Sequence, residues 1–141
     1  MNRKLLLAWL VVFIAWMAGS FVVHGTLLHP DYSQLPSLFR PEADAQRLFH
    51  LMVLAHVMLA GALVWIYSRG VEAAPWLPQG LRFGLAVAFL TVIPTYIIYY
   101  VVQPIPSTVA MKQIVLDTIL ILLLSVLTAF LVRAPKARVA M

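Results

Sequence analysis

The chain has no cysteine, which removes disulfides, thiolate metal sites and dithiol redox chemistry from consideration. It is also short of charge. Only 11% of its 141 residues are Asp, Glu, Lys or Arg, against about 25% in a soluble globular domain. No nucleophile motif, phosphate loop or metallohydrolase motif occurs, and there is no internal repeat or low-complexity segment. What is present is apolar: 63% of residues are hydrophobic and the mean hydropathy is +0.95. Such a composition describes one integral membrane domain over residues 1–141, with no room for a separate soluble unit.

Four apolar runs, Leu5–Leu28, Leu48–Tyr67, Leu81–Val102 and Val109–Val132, each reach the roughly 20 residues needed to cross a bilayer. The first follows Arg3 and Lys4 as a signal peptide would, but it is about twice the usual 7–15-residue apolar region. It is therefore expected to be retained. With turn and cap signals included, the expected helices cover about residues 5–29, 42–68, 80–103 and 107–133. Short connections predict an all-α, up-down four-helix bundle.

The net charge of +5 would suggest nucleic acid in a soluble protein. Here it reads as topology, and no nucleic-acid partner is expected. Arg3, Lys4, Arg69, Arg82, Arg133, Lys136 and Arg138 fall on one side, and Arg40, Arg47 and Lys112 on the other with Asp31, Glu42 and Asp44. By the positive-inside rule both termini are cytoplasmic. In the first outer loop, Pro41 with Glu42 and Asp44 reads as a helix start, and Leu35, Leu38 and Phe39 are suited to the outer interface. Trp76 in the inner loop reads as an interfacial anchor, and Ser107 as the N-cap of the last helix.

Two features shape the third helix. Gly80, Gly84 and Ala88 form a small-residue face for close helix packing. Pro94 removes the hydrogen bond to the Leu90 carbonyl and should kink the helix, with Thr91 placed to re-satisfy that carbonyl.

The polar residues gather toward the outer half. Asp117 lies inside the fourth apolar run, where a carboxylate costs roughly 2.5–3.5 kcal/mol or more unless paired or wet. Gln113 shares its face, which continues through Ile121, Leu124 and Thr128. Tyr96, Tyr99, Tyr100 and Gln103 fall on one face of the third helix, extending inward through Val92, Phe89 and Leu85. His24 shares a face with Ser20, Met17 and Phe13. His50 and His56 border the interior of the second helix, centred near Val53, Val57 and Ala60. His56 and Asp117 are the deepest, so a His56–Asp117 pair supported by Tyr96 or Gln113 is expected. Lys112 is expected to snorkel to the surface. The candidate ligand-binding or proton-relay residues are thus Asp117, His56, His50, His24, Tyr96, Tyr100, Gln113 and Lys112.

Three functions fit this pattern. The composition favours a non-enzymatic accessory or assembly subunit of a larger membrane complex, with the cluster specifying packing. The second is a protein that binds or transports a lipophilic ligand such as a quinone or lipid, entering beside Pro94. The third is a b-haem redox protein using His24 and His50, which share one depth. A metal site is not expected, because the candidate ligands lie at different depths.

The stretches His24-Gly25-Thr26-Leu27-Leu28, Gly80-Leu81-Arg82-Phe83-Gly84-Leu85 and Gln103-Pro104-Ile105-Pro106 resemble those of small bacterial four-helix membrane proteins from families of unassigned function. The resemblance spans most of the chain. It implies a multi-pass location in the bacterial inner (cytoplasmic) membrane and transfers no activity or site residue.

Overall fold

The computed structural model describes residues 2–133, and among these every regular element is helical. The elements are α1 (Arg3–Leu27), α2 (His29–Tyr32), α3 (Glu42–Arg47), α4 (Phe49–Arg69), α5 (Trp76–Val102) and α6 (Ser107–Val132). Four of them, α1, α4, α5 and α6, are long and apolar enough to cross a membrane, which marks a multi-pass helical membrane protein. Lys136 and Arg138, used above for topology, lie outside the described residues.

α6 is the central element, packing against α1, α4 and α5. Its buried face carries Gln113, Ile121, Leu124, Ser125, Thr128 and Ala129. Against it, Gly80 of α5 meets Val126 and Ala129, Gly84 meets Leu122 and Ser125, and Tyr96 meets Asp117. Positions rising along α5 therefore fall along α6. Between α1 and α6 the order is likewise reversed, from Lys4 at Arg133 to His24 at Asp117. These contacts define two ends: a histidine end, with His24 and the α1–α4 connection, and a glycine end, with Gly80 and the α4–α5 connection.

The glycine end holds most of the apolar core, including Ala8, Val12, Ala60, Leu63, Val64, Tyr67, Ala88, Leu124 and Ala129. The centre of the packed face on α4 is thus Ala60–Tyr67, about two turns beyond Val53 and Val57, which are half-buried. Trp76, the expected interfacial anchor, is half-buried at the start of α5 and edge-on to Phe130.

Two helices contain a wide turn with i→i+5 bonding. In α1 it spans Phe21–Leu27, and the Leu28 N–H donates to the Val23 carbonyl at 2.9 Å. In α5 it spans Ala88–Val92, and the Ile93 N–H donates to the Ala88 carbonyl. Its cause is Pro94, which has no N–H and whose ring crowds the preceding turn; widening the turn relieves both problems. Thr91 donates to the Val87 carbonyl at 2.7 Å, not to that of Leu90.

The wide turn also delays the rotation of α5, keeping Tyr96 on the face set by Gly80, Gly84 and Ala88. Of the expected stripe, Val92 and Tyr96 are half-buried, and Leu85, Phe89, Tyr99, Tyr100 and Gln103 are exposed. Other boundaries shift for local reasons. The expected second helix is broken at Leu48 into α3 and α4. α5 starts at Trp76, since Pro78 falls in its first turn where no N–H is needed. Pro106, not Ser107, occupies the N-cap of α6, with no side-chain cap.

Candidate functional site

At the histidine end, α1, α5, α6 and the short α2 each contribute one or two polar side chains to a single cluster. The Tyr96 hydroxyl donates to Asp117 Oδ2. The other carboxylate oxygen lies 3.2 Å from His24 Nε2. His24 Nδ1 is 2.8 Å from the Tyr32 hydroxyl, which accepts from Gln113 Nε2 at 3.2 Å. The result is an unbroken sequence of polar groups, Gln113–Tyr32–His24–Asp117–Tyr96.

Hydrogen positions follow from this order. A ring with its single proton on Nε2 faces the Asp117 carboxylate and accepts from Tyr32 on Nδ1, which satisfies each partner. The wide turn in α1 is what brings His24 here, and a π turn in a helix is often found at such sites. Asp117 is mostly buried, with its side chain 13% exposed, and the His24 side chain is 36% exposed. Gln113 is buried, and its Oε1 has no partner among the described residues.

The α1–α4 connection closes this end. Lys112, expected to reach the surface, is half-exposed, and its Nζ donates to both oxygens of Asp31 at 2.9 and 2.8 Å. Tyr32, Leu35 and Leu38 pack against Ile105, Val109 and Ala110, and the Tyr32 and Phe39 rings lie 4.5 Å apart. Burial pushes the Tyr32 hydroxyl up to about 12; the Asp117 and Asp31 charges act in the same direction, and the Gln113 hydrogen bond opposes them.

The expected His56–Asp117 pair is not formed. His56 Nδ1 faces the Met52 carbonyl at 2.8 Å and Nε2 faces the Ser20 hydroxyl at 3.0 Å. A carbonyl only accepts, so Nδ1 carries the proton and Nε2 accepts from Ser20. His56 is thereby a satisfied tie between α4 and α1, edge-on to Trp16. His24 takes the place beside Asp117, because the wide turn swings it inward from the end of α1.

His50 and Tyr100 are exposed. For haem, both His24 ring nitrogens are already engaged, so the paired free imidazoles of a bis-histidine site are not presented. Among the described residues no three His, Asp or Glu side chains converge as a metal site.

Of the eight candidates, the structure joins His24, Tyr96, Gln113 and Asp117, and places Lys112 one pair away. It adds Tyr32 and Asp31, which sequence reasoning left in the loop. The available signal was an aromatic hydroxyl and an acid directly after His29-Pro30, beside the one basic residue at the start of the fourth apolar run. No family model, curated protein or solved structure matches this chain.

Proposed function

We propose that this protein is a non-enzymatic accessory or assembly subunit of a larger complex in the bacterial cytoplasmic membrane. In this reading the four spans form an up-down bundle with both termini cytoplasmic, and the histidine end faces outward. The supporting observation is the lopsided use of α5. Its segment beyond the wide turn, Ile93–Val102, buries no residue, and Leu90 and Val101 are 78% and 77% exposed. The segment meets the bundle through Ile93 and Tyr96 and leaves its other sides open for lipid or another helix. Tyr32, His24, Asp117 and Tyr96 beside it are engaged with one another, tying α1, α2, α5 and α6 together as in a cluster that fixes a packing arrangement.

The test is photo-crosslinking in native membranes from positions 90 and 101, with position 58 on α4 as a comparison, since Met58 is 65% exposed. Discrete protein adducts at 90 and 101 and none at 58 are expected. Lipid adducts alone at all three would overturn the proposal.

A second reading, binding of a quinone or lipid, is supported by an open groove of about 400 Å³ at the histidine end. Leu27, Leu28, Met111, Val115 and Leu116 form its apolar walls, with Lys112 beside them. Extraction and analysis of co-purifying lipids from wild type and Val115→Trp decides it: a quinone or lipid lost in the variant supports the reading, and unchanged content rejects it.

A further inference from the structure

A second cleft, of about 330 Å³, opens at the glycine end between the end of α4 and the start of α5. That volume lies at the lower end of the range for small-molecule sites, ~300–1,000 Å³. Ile66, Tyr67, Gly70, Arg82 and Phe83 line it, with Glu72. We propose that this cleft binds the phosphodiester headgroup of an anionic phospholipid, with Arg82 and the Tyr67 hydroxyl as its donors.

Four observations carry this. Tyr67 is 4% exposed, edge-on to Phe83, and its hydroxyl has no hydrogen-bond partner among the described residues. An orphaned buried hydroxyl is costly unless something outside the chain satisfies it. Arg82 is held only loosely: its guanidinium is 3.7 Å from Glu72, and both side chains are about 70% exposed. A phosphate oxygen reaches the Tyr67 hydroxyl as these two mouth residues move apart, and Arg82 then exchanges a solvated carboxylate for a bidentate phosphate contact.

The wall opposite is built. Gln79 is buried; its Oε1 accepts from the Glu72 N–H at 3.0 Å, and its Nε2 donates to the Glu72 and Ala74 carbonyls at 3.1 and 2.9 Å. The connection is therefore locked before any ligand arrives, so little ordering cost remains for binding.

Charge and depth complete the case. Arg3, Lys4, Arg69, Arg82 and Arg133 lie at this end against Glu72 alone, because the chain's other four acids are Asp31, Glu42, Asp44 and Asp117. Trp65, with the Arg69 guanidinium 5.2 Å over its ring, marks the headgroup level where Trp and Arg gather. Exposed Ile66 gives the acyl chains an apolar path away from the cleft.

The chain supplies its own blocking position. A side chain at Gly70 meets nothing within 4 Å of its Cβ, and φ there is −115°, so Gly70→Trp fills the mouth without strain. The experiment is native mass spectrometry of the full chain in detergent, titrated with phosphatidylglycerol or phosphatidylcholine, alongside thermal unfolding with each lipid and with inorganic phosphate. Wild type is expected to retain one phosphatidylglycerol and to be stabilised by it and not by phosphatidylcholine. Gly70→Trp and Arg82→Gln should each weaken retention about tenfold, and Tyr67→Phe about threefold to tenfold, with unfolding in lipid-free detergent unchanged for Gly70→Trp. Equal retention by wild type and Gly70→Trp would overturn the site. Stabilisation by inorganic phosphate alone would overturn the lipid assignment.

Discussion

At the glycine end, α5 and α6 approach until a Cβ added at Gly80 would sit 2.9 Å from the Val126 Cα; at the histidine end, the same two helices are spaced by a tyrosine and an aspartate that hydrogen-bond. Dry backbone packing holds one end and a polar chain holds the other. In a bilayer the two are not equivalent. Close packing gathers dispersion contacts along two helix backbones, whereas a polar contact competes with partners still available in the membrane-embedded unfolded state and averages only about 0.6 kcal/mol. The glycine end should therefore carry more of the stability, and the histidine end more of the choice of which helix faces which.

The largest expected effect tests the dry end. Gly80→Leu forces a side chain against the α6 backbone, which cannot give way as a flexible side chain would. A loss of about 2–3 kcal/mol is expected, read by unfolding in detergent. A neutral result would mean that α5 and α6 are not in contact there.

Asp117→Asn tests the polar end. An amide cannot accept from both Tyr96 and His24 while its own N–H₂ faces one of them, so a loss of about 1–2 kcal/mol is expected. His56→Gln should leave the Asp117 cluster intact, since His56 bonds to Ser20 and Met52. In a double-mutant cycle, Asp117 should couple to His24 and not to His56. Coupling to His56 would restore the pairing expected from depth alone.

A smaller effect is pH-dependent. The Tyr32 hydroxyl titrates at about 12, above its ordinary 10.0, so the folded state favours the protonated phenol. Its contribution is full below pH 10 and is lost as pH rises through 10 to about 12. Wild type should lose stability between pH 10 and about 12, and Tyr32→Phe should lose less over the same window. Parallel curves would show that Tyr32 is not buried at the cluster.

Much of this was legible from residue spacing. The α6 stripe Gln113, Ile121, Leu124 and Thr128 is buried as its helical period requires, and Gly80, Gly84 and Ala88 meet a neighbouring helix inside the chain. Within the spans, what was not legible about the polar residues traces to one backbone device. A wide turn costs one hydrogen-bond register and rotates everything beyond it; in α5 Pro94 marks it, and in α1 no proline does. In α5 it brought Tyr96 in line with Gly80, Gly84 and Ala88, and of the three tyrosines only Tyr96 faces α6 while Tyr99 and Tyr100 are exposed. In α1 it moved His24 into the place that ordinary helical geometry assigned to His56. The loop contribution was hidden for another reason: Asp31 and Tyr32 were the available signal, but their order along the chain does not fix that the loop folds back over α6.

The smallest effect is expected where the charge pairing looks strongest. Lys112 places Nζ within 2.9 Å of both Asp31 oxygens, yet its side chain is 53% exposed and that of Asp31 is 22% exposed. Ion pairs open to solvent give back most of their Coulomb energy as desolvation and side-chain ordering, leaving about 0.2–1 kcal/mol. Lys112→Gln should therefore shift unfolding less than Asp117→Asn, and the shift should shrink further as salt is raised. If Lys112→Gln proved the more damaging of the two, the stability of this end would rest on the strap from α2 to α6, and the chain from Gln113 to Tyr96 would be secondary to it.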